Sequence, residues 1–299
     1  MLYLGRIRDG GRPSVEIRQG WETRAVSWWM SELGWRILIF PTLMLVLAVW
    51  EALLPRRRWQ LAKPWRWISN LGLALLNNVV LRVLAPLGLA GIALWAEELH
   101  LGLLRYFDLP EIVSIPLTVV LLDLVVYTQH VLFHRVPILW RLHLVHHADL
   151  DFDFTTGVRF HTLEILLSFG IKVAAVILLS GAVLGVVIFE LLLTATSLFN
   201  HANIRLPARI EQWLRLVVVT PEMHRIHHSA VVQELNSNYG FNLPWWDFLF
   251  RTYRPEPRDG QEKMLIGLSW LREERQANRL PSMLALPFLV RLPQQNQHV

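Results

Sequence analysis

The sequence predicts an all-α integral membrane helical bundle of about four to five membrane helices, with a cytosolic helical cap carrying a histidine-rich dimetal site. Three observations predict it. Of the 299 residues, 53% are hydrophobic. Only 18% are charged, against about 25% in an ordinary soluble domain. And eight of the twelve histidines fall in three short boxes.

The chain divides into an N-terminal extramembrane tail (1–36), a membrane bundle (37–254) and a C-terminal tail (255–299). Residues 1–36 hold no long apolar run and no small-residue cleavage site, which argues against a removable signal peptide. Within the bundle, five stretches approach the roughly 20 apolar residues needed to cross a bilayer. They are Ile37–Leu54, Leu71–Ala96, Ile112–His134, Thr162–Leu179 and Ala182–Asn200. Pro41, Pro86 and Pro116 are candidate kinks, and Ser180–Gly181 reads as the turn of a helical hairpin. Lys172 and Glu190 lie at equal distances from Gly181 on the two arms and are expected to pair.

Arg56, Arg57, Arg58, Lys63 and Arg66 cluster between the first two stretches. The positive-inside rule places that loop in the cytoplasm. Counting crossings from there delivers ten of the twelve histidines to the same face. The net charge of +5 is explained by this clustering beside hydrophobic runs, and no nucleic-acid module is present. The chain has no cysteine, which excludes disulfides, thiolate metal sites, Fe–S clusters and cysteine nucleophiles. Any metal must be held by histidine or carboxylate.

The boxes are His130-x-x-x-His134, His143-x-x-His146-His147 and His224-x-x-His227-His228. Positions i, i+3 and i+4 share one face of an α-helix, so each box can aim two or three imidazoles at one point. Neutral imidazole suits iron, zinc, copper or nickel, and composition does not choose among them. Eight histidines exceed the four ligands of a closed zinc site, which favours two ions. Asp123, Tyr127, His130 and His134 form one helical stripe, so Asp123 is a candidate acceptor for the distal N–H of a ligand histidine.

From Asp123 to Thr252 these motifs resemble the membrane fatty acid hydroxylase / sterol desaturase superfamily. The resemblance rests on Asp123, Tyr127, His130, His134 and Arg135; on Trp140 and His143; and on Thr156, Arg159, His161 and Glu164. It continues through Asn200-His201-Ala-Asn203, Thr220–Pro221, Asn236-x-Asn238-Tyr239-Gly240, Trp246–Asp247 and Thr252. Arg251 departs from the glycine usual before that threonine, and Thr162 from a frequent proline. The resemblance implies the ligand set His130, His134, His143, His146, His147, His201, His224, His227 and His228, with His161 as a tenth ligand or a hydrogen-bond donor beside the site. Asp123, Tyr127, Asn203, Asn238 and Asp247 are the expected supporting residues.

It further implies two iron ions, O2 as co-substrate, and hydroxylation or desaturation of a sterol, fatty acid or related acyl or alkyl lipid. The chain shows no dinucleotide-binding glycine fingerprint and no recognisable haem domain. Electrons are therefore expected from a separate reductase, ferredoxin or cytochrome b5-like partner. Two other classes stand beside this reading. A metal-binding or transport protein would spread ligands through the depth of the spans. A membrane zinc hydrolase would use fewer ligands, a carboxylate base and no O2.

Overall fold

The computed structural model describes residues 38–292; the expected tail 1–36 lies outside them. Among the described residues the chain is helical, with no strand beyond two isolated bridges. Apolar residues cover the outside as well as the inside: Ile112 is 83% exposed and Val83 is 73% exposed. Such an exterior suits hydrocarbon, where helices satisfy their own backbone groups.

Helix α1 (Leu38–Leu53) covers 16 of the described residues, about 24 Å of helix. It packs Leu47 against Phe154, Leu198 and Ile204, beside the inner end of a later span. Among the described residues four helical segments are long and apolar enough to cross, and the protein is a multi-pass membrane protein.

The crossing from Lys63 to Glu98 is composite. Helix α2 (Lys63–Leu84) stops where Ala85–Pro86 interrupts the backbone ladder, and α3 (Gly88–Glu98) resumes it. Asn77, midway along α2, donates to the Phe160 carbonyl (2.8 Å) and accepts from Thr162 (2.7 Å). Asn77 is thus level with the start of α6. From Asn77 to Glu98 the path is about 31 Å at the helical rise, one bilayer. The first half of α2 belongs to the cap.

Helix α4 (Glu111–Arg135) crosses in one piece despite Pro116. Val136 takes an extended conformation, as residues before proline do, and Pro137 opens α5 (Pro137–His147) at its first turn. The chain therefore turns within one residue, and the first two histidine boxes meet. Helices α6 (Thr162–Leu179) and α7 (Val183–Asn200) flank the expected Ser180–Gly181 turn. Ser180 is left-handed (φ +40°). A side chain at Gly181 would collide with Thr118. Both helices pack on α3 and α4 through Leu89, Leu122, Val176 and Phe189.

The cap comprises α5, the front half of α2 and seven short helices: α8 (Ala208–Leu214), α9 (Pro221–His227), α10 (Val232–Leu235), α11 (Trp245–Leu249), α12 (Gly260–Lys263), α13 (Glu274–Asn278) and α14 (Leu280–Leu289). The C-terminal segment expected as a tail from residue 255 is instead integral to the fold as far as residue 292. Met283 and Leu286 of α14 pack with Leu73 and Leu144. Arg159 donates to the carbonyls of Val145 and Ala277 and to Asn70 and Asn278.

Beside Arg159 lies a buried ion cluster. Arg66 bonds Asp149 (2.7 Å) and Asp153 (2.5 Å), with all three side chains at most 1% exposed. Removing one partner of such a group leaves an uncompensated buried charge, at a cost of about 3–5 kcal/mol. Arg66→Leu is accordingly expected to lower the melting temperature of the detergent-purified protein sharply. An unchanged melting temperature would show that this cluster does not hold the cap together.

Candidate metal centre

The nine histidines of the expected ligand set converge at the junction of spans and cap. They form two groups, and within each the potential ligand atoms lie within 4.8 Å of one another. His130, His134, His143, His147 and His227 make centre one, while His146, His201, His224 and His228 make centre two. Every one is buried.

Spacing alone suggests that each box serves one point. The structure divides two of the boxes instead. On α5, His143 and His147 (i, i+4) face centre one and His146 faces centre two. On α9 and its end, His224 and His228 (i, i+4) face centre two and His227 faces centre one. The two helices cross-link the centres, and the His147 and His228 rings stack at 4.5 Å between them. Helix α4 contributes only to centre one, and His201 at the end of α7 only to centre two.

Proton bookkeeping shows what belongs between the rings. The Nδ1 atoms of His130 and His227 donate to the carbonyls of Tyr239 and Ser237, both at 2.7 Å. His143 Nδ1 donates to the Glu164 carboxylate at 2.6 Å. A neutral imidazole that donates through Nδ1 has only a lone pair at Nε2. Yet His130 Nε2 lies 3.1 Å from the Nε2 atoms of both His143 and His227.

Burial pushes His227 down to about 3, so protonation does not relieve the repulsion at neutral pH. A shared cation does. Metal–imidazole bonds of about 2.0–2.1 Å place neighbouring ligand nitrogens roughly 3 Å apart, which is the separation found. In centre two, His201 Nδ1 donates to Ser197 O (2.6 Å), and its Nε2 lies 3.1–3.2 Å from those of His146, His224 and His228. Burial likewise holds His201 at about 3 and pushes His146, His147, His224 and His228 well below the ordinary histidine value. All are neutral and ready to ligate. The residues fit two metal ions.

Local sequence explains how the ligands are aimed. Thr220 caps α9 by accepting from Met223 N (3.3 Å), and Pro221 fills its first position. Asn238, left-handed at φ +51°, donates to the carbonyls of Met223 and Arg254 and so ties α9 to the following loop. Asp247 accepts from the backbone N–H of Tyr239 and of Gly240 (2.8 Å each), which fixes the Tyr239 carbonyl on His130. Gly157 lies against Ser197 O and His201 Nδ1, where a Cβ would meet that carbonyl at 2.2 Å. Only glycine lets this turn approach the end of α7.

The other expected supporting residues act at a distance. Asp123 reaches no histidine; its Oδ2 accepts from Trp246 Nε1 (2.8 Å) and Leu243 N (3.3 Å) and clamps the α11 region to α4. Tyr127 pairs with Thr252 (2.8 Å) and stacks on Phe250. Asn203 exchanges bonds with the backbone of Arg57, joining the basic loop to the end of α7. His161 stands outside both centres. Its Nδ1 accepts from Leu163 N at the start of α6 and its Nε2 donates to Leu284 O.

Glu164 is the supporting residue that motif reading left without a role. It gives His143 the carboxylate partner that orients a metal-bound imidazole and raises its basicity. A carboxylate in the first turn of a span is expensive, and that cost was the available signal. The carbonyls of Ser197, Ser237 and Tyr239 carried none.

A cavity of about 110 Å³ adjoins centre one only. His130, His143 and Glu164 line one end, and Ser168 and Lys172 of α6 with Leu193 of α7 line the rest. Its lining comes from α4, α6 and α7 together with residues of α5 and the loops beside them. Lys172 and Glu190, expected to pair, both have interaction partners.

Helical spans enclosing a buried polyhistidine site that could hold two metal ions define the class: a multi-pass membrane protein with a candidate dimetal centre. Residues 115–252 match the fatty acid hydroxylase family model. This match and the relatives below support the fatty acid hydroxylase / sterol desaturase superfamily for that segment. It is 29% identical over 237 residues to the ornithine lipid hydroxylase OlsE of Rhizobium tropici, covering 76% of this chain and 69% of that protein. It is 31% identical over 157 residues to the alkylglycerol monooxygenase of Xenopus tropicalis, covering 51% of this chain and 32% of the relative. The human alkylglycerol monooxygenase gives 29% over 147 residues, 48% of this chain and 30% of the relative. The chain therefore spans about a third of the alkylglycerol monooxygenases it matches. No solved structure matches it.

The division of the boxes has a direct test. His134→Ala and His224→Ala should each lower bound metal to about half, and the double variant should bind almost none. Loss of all metal from either single variant, measured by elemental analysis on folded protein, would refute two separate centres.

Proposed function

We propose that the protein is an O2-dependent, non-haem di-iron oxygenase that hydroxylates a membrane lipid. The observation that carries this reading is the cavity between α4, α6 and α7 that ends on the five-histidine centre. Two iron ions, when bound, supply O2 activation and removal of hydrogen from an unactivated C–H bond. The chain's own residues do the rest. The nine imidazoles fix both ions without a charged ligand, and Glu164 and the Tyr239, Ser237 and Ser197 carbonyls hold the rings in register. Phe133, Phe160 and Phe241 wall the cavity and exclude water.

The lipid enters sideways from the bilayer, and a short stretch of it fits the cavity beside His130 and His143. The relatives' names, a lipid hydroxylase and monooxygenases, favour hydroxylation over desaturation and an acyl or alkyl lipid over a sterol. Iron oxygenation consumes electrons, and with no cysteine this chain has no thiolate Fe–S relay of its own. A separate reductase, ferredoxin or cytochrome b5-like donor docks on the histidine side, and the basic loop Arg56–Arg58 supports a cytoplasmic orientation for that side.

Two measurements test this. Purified protein should carry two irons per chain and transfer one atom of 18O2 into a host lipid; two zincs with undiminished turnover under argon would defeat the reading. Second, Leu193→Trp should fill the cavity and cut turnover by about tenfold or more while leaving the metal complement intact. Full activity in that variant would show that substrate travels elsewhere.

A further inference from the structure

The cap carries a large apolar surface that none of its own elements covers. Trp213 is 75% exposed and Leu249 is 65% exposed, and Leu216, Trp245, Phe248 and Phe250 are exposed beside them. Trp245 Nε1 donates to Leu216 O (2.8 Å), so α8 and α11 present one continuous patch. In a cap bathed by water such a patch would be a liability.

Its depth can be measured along the spans in two ways. The α11 segment is bonded to α4 at Asp123 through Trp246 and Leu243, and at Tyr127 through Thr252. Asp123 lies twelve residues from Glu111, the charged start of α4, or about 18 Å along the helix. From the other side, Gln129 bonds Ser168 (3.0 Å), six residues into α6. Asp123 is six residues beyond Gln129, so it sits about 18 Å from the inner end of α6. Both rulers put Asp123 more than about 10 Å inside a 30 Å hydrocarbon layer.

We propose that α11 and the face of α8 beside it are immersed in the bilayer, as a non-spanning insertion that continues the lipid-facing belt of the four spans. The bonding explains how the segment tolerates that depth. Asp123 and Asp247 accept the N–H groups of Leu243, Tyr239 and Gly240, and irregular backbone survives in a membrane only where it is satisfied by protein. Arg251, exposed and left-handed at φ +60°, follows the aromatic stretch at the Tyr127 level. From there its long side chain reaches the headgroups.

The absence of cysteine makes the test clean and independent of catalysis. Leu249→Cys, with Phe248→Cys as a second position, is labelled with the environment-sensitive fluorophore NBD, with exposed Asp259→Cys as the aqueous control. Each is placed in phosphatidylcholine nanodiscs, and only variants with wild-type metal content are read. Immersion predicts that mid-chain nitroxide lipids quench positions 248 and 249 at least about threefold more than position 259, with iodide showing the reverse order. Iodide quenching at 249 equal to that at 259 would overturn the proposal. Protection from both quenchers would also overturn it, since a protein partner would then cover the patch.

Discussion

The architecture depends on one electrostatic constraint: imidazole lone pairs brought to within about 3 Å of one another in a space that water does not reach. His130, His143 and His227 each spend their proton outward, on Tyr239 O, Glu164 and Ser237 O, and turn an unshared pair inward. In water such groups would take up protons and separate. Here burial holds His201 and His227 at about 3, so protonation does not part the rings, and a shared cation is what would balance their lone pairs.

Holding the rings in place requires polar structure where a membrane protein can least easily provide it. Each ligand-bearing element ends in a device that removes its freedom. Pro137 starts α5 a residue after α4 stops, Thr220–Pro221 set the first turn of α9, and Gly157 lets a neighbouring turn press against His201. Behind these sit the Arg66–Asp149–Asp153 cluster and Arg159, which pin α2 and α13 to the segment after α5. A buried ion pair contributes little over an apolar substitute of equal volume. Its value here is registry, since α2 and α14 are apolar enough to slide but the charges admit one alignment.

Much of this was legible in the sequence. Three boxes at helical spacing and five apolar stretches followed from residue type and interval, because histidine is scarce and periodicity is geometric. The superfamily came from the resemblance of the motifs between Asp123 and Thr252, and the structure makes four of the helical segments long enough to cross. The division of α5 and α9 between two centres was not, because i+3 and i+4 look alike until a second helix supplies a direction. Asp123 shared a stripe with the histidines, but a stripe fixes a face and not a partner, and Trp246 approached from 123 residues away. The residues after 255 read as a tail because Pro, Arg and Glu interrupt every period. Tertiary contacts to Arg159 and Arg141, such as Arg141 donating to Pro287 O (2.8 Å), order them instead.

The two centres are not equivalent, and the difference bears on which does what. Centre one has five histidines to centre two's four, and four of its rings have an Nδ1 partner: Tyr239 O, Glu164, Ser237 O and Asn236 at a longer 3.4 Å. In centre two only His201 is so held among the described residues, while the Nδ1 atoms of His146, His224 and His228 have no such bond. Only centre one borders the cavity. On the proposed reading, a substrate in that cavity meets the more fully hydrogen-bonded set, which is where orientation of a C–H bond matters most. The looser set lies behind it, on the cap side. The protein spends its hydrogen bonds on the side that borders the cavity.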